Sequence, residues 1–202
     1  MNSFDERAAR WDDPAKIARA EVVARVIGEA IPLDAEMRVL EYGAGTGLVA
    51  HALSNCVGPL TLADTSAGMR EVMSDKIARG TITNARIWDL DLSTDAPPDE
   101  QFDIVVTVLT LHHITEIDLV VASFASLLVD GGHLCIVDLD AEDGSFHGEG
   151  FGGHHGFERS WLAERLEAAG FTDVAFRPCH EIERDQGTYP LFLATARTER
   201  TP

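Results

Sequence analysis

From Ile17 onward, apolar residues at Ala20, Ala24, Ile27 and Ile31 return at spacings of three and four, the period of a helix buried along one side, and Pro32 ends the run. Beyond it the chain alternates. Short runs rich in β-branched residues (Arg38–Leu40, Leu60–Leu62, Ala85–Ile87, Asp103–Val108 and His133–Val137) predict strands, and Ser66–Arg79 and Glu116–Val129 between them have helical composition. Strands separated by helices need crossover connections, so the pattern predicts an α/β fold with a parallel sheet covered on both faces. Ligands of such sheets bind beyond the carboxyl ends of the strands. The last third departs from this alternation. A loop rich in glycine and histidine, Asp143–Gly156, leads into a helix over Glu158–Ala169 whose Trp161, Leu162, Leu166 and Ala169 form one face and whose end is marked by Gly170. Two extended runs, Phe171–Ile182 and Thr188–Ala196, follow with only a few residues between them and predict an antiparallel hairpin at the sheet edge.

Composition narrows the class. With 202 residues, 45% apolar and 25% charged, the chain has the balance of one soluble globular domain with a real core, which excludes disorder and collagen-like or small disulfide-bonded folds. No internal repeat interrupts it, and the one Pro-rich spot, Asp95–Asp99, is too brief for a domain linker. Sixteen Lys and Arg stand against 34 Asp and Glu, a net charge of −18, and no basic run occurs. The average field repels polyanions, so neither nucleic acid nor an anionic membrane surface is an expected partner. Cys56, Cys135 and Cys179 are odd in number, far apart and without CxxC spacing, which argues against a disulfide framework or a thiolate zinc site and for a reducing compartment. Met1–Trp11 is charged and polar, and the longest apolar stretches, Ile104–Leu111 and Leu119–Val129, are too short to span a bilayer, so a cytoplasmic location is expected.

The stretch richest in chemistry is Val39-Leu40-Glu41-Tyr42-Gly43-Ala44-Gly45-Thr46-Gly47-Leu48, a buried strand running into a glycine turn and then a helix. Glycines permit positive φ and close approach of a ligand to the backbone, and the helix start offers N–H groups to a carboxylate or phosphate, so the turn reads as an anion cradle. A dinucleotide fingerprint would carry its third glycine at position 48, where Leu48 stands. The spacing is instead E-x-G-x-G-x-G.

With these residues in view the sequence resembles the class I S-adenosylmethionine-dependent methyltransferases, particularly a small bacterial group acting on small molecules, over nearly the whole chain. The resemblance implies a three-layer Rossmann-like, seven-stranded sheet, mostly parallel with an antiparallel C-terminal β-hairpin. It implies S-adenosyl-L-methionine as cofactor, S-adenosyl-L-homocysteine as its product, and a single domain: a helical lid over residues 1–36, a cofactor-binding core over 37–140, and a substrate-side cap loop, helix and hairpin over 141–202. The lid would include Phe4–Asp12, and Val129–His133 resembles the family's helix-to-strand turn with Asp130 in place of its proline. The implied cofactor residues are Glu41, Gly43, Ala44, Gly45, Gly47, Asp64, Thr65, Met69, Asp89, Leu90 and Thr107. Asp64 would accept the ribose hydroxyls, the alternative being an N-cap that Ser66 can also supply. Met69 would pack on the adenine or serve as a core methionine. Asp89 would accept the adenine amine beside the Leu90 N–H, with Asp91 as the alternative acceptor. Glu41, an acid on a buried strand, needs a cation or donors; it is expected near the amino-acid end of the cofactor, away from the sulfur, or hydrogen-bonded to the glycine loop.

Thr110-Leu111-His112-His113-Ile114 resembles the family's motif after strand four, and His112, His113, His147, His154 and His155 all fall on loops after strands four and five. Imidazole titrates near working pH, so His113 or His154 could take the proton from an acceptor; a solvated loop histidine is the plain alternative. His147, His154 and His155 with Asp138, Asp140 and Glu149 offer metal ligands. Adjacent histidines diverge, however, and glycine-rich loops do not fix geometry, so no metal is expected. Phe146, Phe151 and Phe157 share that loop with six glycines, which suits either a cap over an apolar substrate or an ordinary insertion.

The expected function is in-line transfer of a methyl group to a small-molecule acceptor, where positioning supplies most of the acceleration. Two rivals differ in class: an NAD(P)-dependent oxidoreductase, against which the shifted glycine and the hairpin speak, and a non-catalytic regulatory subunit that binds S-adenosylmethionine. Nucleic-acid amino-methylation is disfavoured because Thr107–Thr110 lacks an Asn/Asp-Pro-Pro-aromatic signature, and Pro178-Cys179 falls in the sixth strand instead of a catalytic loop. A homodimer is left open.

Overall fold

The computed structural model describes residues 3–199. Its seven strands stand in the order β3-β2-β1-β4-β5-β7-β6, an α/β sheet that is mostly parallel and carries its antiparallel pairs at the C-terminal end. The chain divides into two compact units, one ending at Asp91 and the other starting at Leu92. The division falls inside the stretch read from the sequence as the cofactor-binding core, 37–140.

The first unit holds α1 (Ser3–Arg7), a 3-10 turn, α2 (Pro14–Ala30), β1 (Val39–Tyr42), α3 (Leu48–Leu53), β2 (Leu60–Ala63), α4 (Ala67–Ala78) and β3 (Ala85–Trp88). Helix α2 begins before Ile17 because Asp13 caps it, accepting from the Lys16 N–H at 2.8 Å, with Pro14 pre-set for the first turn. It stops where Ile31, forced out of the helical region by Pro32, turns extended. Every residue of β1 and β2 is buried, as a parallel strand covered on both faces requires. The ladder pairs Val39 with Leu60 and Leu60 with Ala85. Ser66 caps α4 through the Met69 N–H.

The second unit holds β4 (Phe102–Val108), a 3-10 turn at Leu111–His113, α5 (Ile117–Leu127), β5 (Leu128–Leu139), α6 (Arg159–Ala168), β6 (Phe171–Arg184) and β7 (Gly187–Thr198). Its core is built on Phe102, Ile104, Phe124 and Phe192, all under 2% exposed. Strands β4 and β5 run parallel, while β7 pairs antiparallel with β5 on one side and with β6 on the other. The hairpin therefore lies at the edge as expected, with β6 outermost. That position tolerates Pro178, which has no N–H to give and sits beside a register shift. Strand β5 starts at Leu128, ahead of the β-branched run at His133, by continuing through Gly131-Gly132 directly from α5.

Among the described residues no helix is long and apolar enough to cross a membrane. Cys56 is an exposed thiol, and Cys135 and Cys179 are buried ones. Burial pushes the Cys135 thiol up to about 12, leaving it protonated and unreactive at neutral pH.

Candidate functional site

In the first unit β1 delivers the chain into Gly43-Ala44-Gly45-Thr46-Gly47, whose glycines have φ of 72°, 57° and 76°. An L side chain enters that region only at a cost, and a Cβ on Gly47 would also lie 2.8 Å from Ile82 Cδ1. The conformation folds the turn's donors inward. Gly43 and Ala44 donate to the Ala63 carbonyl at 2.9 and 3.0 Å, Gly47 donates to the Ala44 carbonyl at 2.8 Å, and Gly45 donates to Asp64 Oδ2 at 2.7 Å. The expected anion cradle is corrected here: these N–H groups are satisfied within the unit. A phosphate seeking the Gly45 N–H would have to displace a carboxylate.

Asp64 follows β2 and is not the cap of α4. Its Oδ1 accepts from the Ser66 N–H at 2.8 Å. Burial raises its pKa, while the bonds from Ser66 and Gly45 work the other way. Glu41, 3% exposed, accepts from the Ala50 N–H in the first turn of α3 at 2.9 Å, so its bond is to the helix and not to the glycine loop. Burial pushes its carboxyl up to about 8; the Ala50 bond opposes this, the Asp64 charge adds to it, and the Lys76 charge opposes it. At neutral pH Glu41 is therefore mostly protonated.

The segment before α2 is fastened over this turn. Asp5 accepts from Ser66 Oγ at 2.6 Å and from the Gly68 N–H at 3.1 Å. Asp12 accepts from Thr46 Oγ1 and pairs with Lys76 at 2.6 Å, and Lys76 donates to the Thr46 carbonyl at 2.7 Å. Trp11 Nε1 stands 3.9 Å from where a Cβ on Gly45 would be. The segment Phe4–Asp12 thus lies against the glycine turn and the start of α4. Asp89, 69% exposed at its side chain, is held by Arg70 through two bonds of 2.8 Å, and Arg70 also donates to the Asp64 carbonyl. Thr65 is exposed, while Met69 and Leu90 are buried at 1% and 5% exposure.

In the second unit Thr107 is buried in β4 with a hydroxyl that has no hydrogen-bond partner. Beyond β4, His112 is buried with Nδ1 2.6 Å from Asp138 Oδ1. Asp138, fully buried near the end of β5, also accepts from the His112 and Leu139 N–H groups at 3.3 and 2.8 Å. An acceptor-only carboxylate at Nδ1 makes that nitrogen the donor and leaves Nε2 as the lone-pair nitrogen of the neutral ring. The glycine- and histidine-rich loop is tied to the same turn by the His154 N–H, which donates to the His112 carbonyl at 2.7 Å. A Cβ on Gly153 would come within 2.1 Å of that carbonyl and 2.6 Å of the Phe151 ring, so the close approach requires glycine.

This approach brings His147 to His112 and His113, with ring centroids 5.0 and 5.2 Å away, while His112 and His113 are 4.2 Å apart. Phe151 stacks on His147 at 3.8 Å. Burial above all, with the Arg184 charge adding to it, pushes the His147 imidazole down to about 4, so it is neutral at physiological pH. The residues grouped from the sequence as a metal set are not brought together. Asp140 is held bidentately by Arg159 at 2.6 and 2.7 Å, His155 lies 3.3 Å from Glu142, and His154 packs against Phe157 and Trp161, which stack on each other, with a buried, unpartnered Nε2. The signal for the set that does meet was the adjacent His112-His113 straight after strand four, with Asp138 closing strand five to orient one of them.

Residues 15–175 match the family described as a methyltransferase domain. The chain belongs to this family, the class I S-adenosylmethionine-dependent methyltransferases, whose cofactor is S-adenosyl-L-methionine, with S-adenosyl-L-homocysteine as product. One relative, the ubiquinone/menaquinone biosynthesis C-methyltransferase UbiE of Stutzerimonas stutzeri, is 32% identical over 106 residues, covering 50% of this chain and 41% of its own. The curated relatives it matches are spanned over 30% to 53% of their length. Among solved structures, the N-methyltransferase NodS of Bradyrhizobium japonicum with S-adenosyl-L-homocysteine superposes at TM-score 0.74 with 20% identity, over 97% of this chain and 96% of that one. A Haloferax volcanii methyltransferase in complex with the Trm112 methyltransferase activator reaches 0.77 with 16% identity, over 99% of both. These two show the fold.

Proposed function

We propose that this chain transfers the methyl group of S-adenosyl-L-methionine to a nucleophile on a small-molecule acceptor. The observation that carries the cofactor side is the Gly45 N–H given to Asp64: it fixes a half-buried carboxylate beside the glycine turn with lone pairs to spare, which suits the paired hydroxyls of a ribose. When bound, that cofactor supplies a sulfonium methyl already activated for displacement, so the chain's work is to hold and orient. Asp64 takes the ribose hydroxyls with the lone pairs left by Gly45 and Ser66. Asp89, on leaving Arg70, takes the adenine amine beside the Leu90 N–H. Met69 backs the site from the core, Thr107 offers its buried hydroxyl, and Glu41, protonated, steadies the first turn of α3 at a distance from the sulfur. His154, with its unpartnered Nε2, is the base. The acceptor is taken as small and uncharged or cationic because a net charge of −18 repels nucleic acid and anionic membranes; the scattered cysteines and short apolar stretches are the support for a cytoplasmic location.

Calorimetry with S-adenosyl-L-methionine and its demethylated product tests this. Asp64→Ala is expected to weaken both by at least about tenfold, the scale of losing charge-assisted hydrogen bonds. Unchanged affinities would overturn the ribose assignment. With an acceptor found by following labelled methyl transfer into small-molecule pools, His154→Gln is expected to lower kcat by roughly 100-fold, the range of general-base catalysis. An unaltered kcat removes His154 as the base.

A further inference from the structure

Three imidazoles of the second unit meet without any use in the proposed transfer. One ring nitrogen from each of His112, His113 and His147 lies within 4.8 Å of the other two. His147 Nε2 is buried with no hydrogen-bond partner. A buried polar nitrogen without a partner is a rarity that calls for a reason, and a cation set among three imidazole nitrogens would supply one. His112 is further fixed in tautomer and orientation by Asp138 at 2.6 Å, the arrangement by which a carboxylate aims a ligating histidine and raises its basicity.

We propose that His112, His113 and His147 form a site for one divalent first-row transition ion, Zn²⁺ foremost, held by three imidazole nitrogens with at least one coordination position open. The donor set decides the class: imidazole nitrogens suit zinc, copper, nickel or iron, whereas magnesium and calcium demand oxygen ligands. Three protein ligands are the pattern of a site that takes up a further ligand, and four that of a closed structural one. His113 is exposed and gives the ion a way in, while Phe151, stacked on His147, walls the other side. Zinc–nitrogen bonds of about 2.0–2.1 Å require nitrogens roughly 3.3 Å apart, so the rings must draw together by somewhat over an ångström. There is room for the shift: Gly148 and Gly150, beside His147, are exposed, and a Cβ on either would meet nothing within 4 Å. The site stands whether or not the chain transfers methyl groups.

The test uses the full chain without a polyhistidine tag, Co²⁺ as spectroscopic probe and Zn²⁺ as competitor. Expected are one equivalent of Co²⁺ with the intense visible bands of a low-coordinate nitrogen site, displaced by Zn²⁺, and affinity lowered by roughly 100-fold in both His113→Ala and His147→Ala, since loss of a ligand exceeds the 10- to 100-fold typical of its outer partners. His51→Ala is expected to bind as the parent does. His112→Ala is avoided because it would strand the buried Asp138 carboxylate; circular dichroism establishes that the two chosen variants are folded. Absence of Co²⁺ binding by the parent chain, or binding that survives either substitution, overturns the three-histidine set.

Discussion

The glycine turn after β1 and the glycine- and histidine-rich loop after β5 use the same residue for opposite ends. In the turn, three glycines at positive φ fold the backbone so tightly that its N–H groups find partners inside the unit, the Asp64 carboxylate among them. In the loop, Gly153 clears room for a carbonyl and an aromatic ring, and the side chains gathered there include imidazole nitrogens of His147 and His154 left without partners. A turn satisfied from within is a rigid frame for a ligand. A crowded loop with unmatched polar atoms is a place awaiting one.

The sharpest way to break this contrast is to fill the space each glycine leaves. Gly153→Ala is expected to destabilise the chain by about 3 kcal/mol, at the upper end of overpacking, because the added methyl meets backbone at 2.1 Å. Gly47→Ala is expected to lose less, about 1–2 kcal/mol, set by a positive φ and by Ile82, a flexible side chain that can shift. Urea unfolding of both variants ranks them; equal losses would mean that the loop's close approach is not the tighter constraint.

In the first region Glu41 carries a pH dependence of its own. Its carboxyl is held at about 8 in the folded chain against an ordinary 4.5, so between these values the folded state keeps a proton that the unfolded state has released. Stability from this group is full below the unfolded value and is lost as pH rises through the folded one, with a slope of at most about 1.4 kcal/mol per pH unit. Glu41→Gln, which keeps an acceptor for the Ala50 N–H, is expected to flatten the unfolding free energy across that range. A slope identical to the parent's would place the charge burden elsewhere.

Much of this frame was legible in the sequence because strands buried on both faces and amphipathic helices write themselves in period and β-branching. The runs at Val39, Leu60 and Phe102 could be read for that reason, the half-exposed run at Ala85 from its place in the alternation, and the Pro32 stop and Ser66 cap from their local backbone chemistry. The early start of β5 was hidden, since Asp130-Gly131-Gly132 has turn chemistry, with Gly131 at φ 76°, and the strand reaches back past it only through an irregularity in the β4–β5 register that joins Leu128 to Phe102. The partner of Asp64 was hidden too, because a glycine turn's composition announces positive φ without saying where its N–H groups point. The meeting of His147 with His112 and His113 depends on the path of a loop, and loop paths carry no periodicity; only the length of a side chain and the space beside Gly153 decide it.

Strand β7, placed between β5 and β6, gives the chain a schedule. As the polypeptide leaves the ribosome, β6 emerges with its hydrogen-bonding edge facing nothing, and β5 has one side bare, until Gly187–Thr198 follows and threads between them. The nascent second unit must shield two sticky sheet margins through that interval.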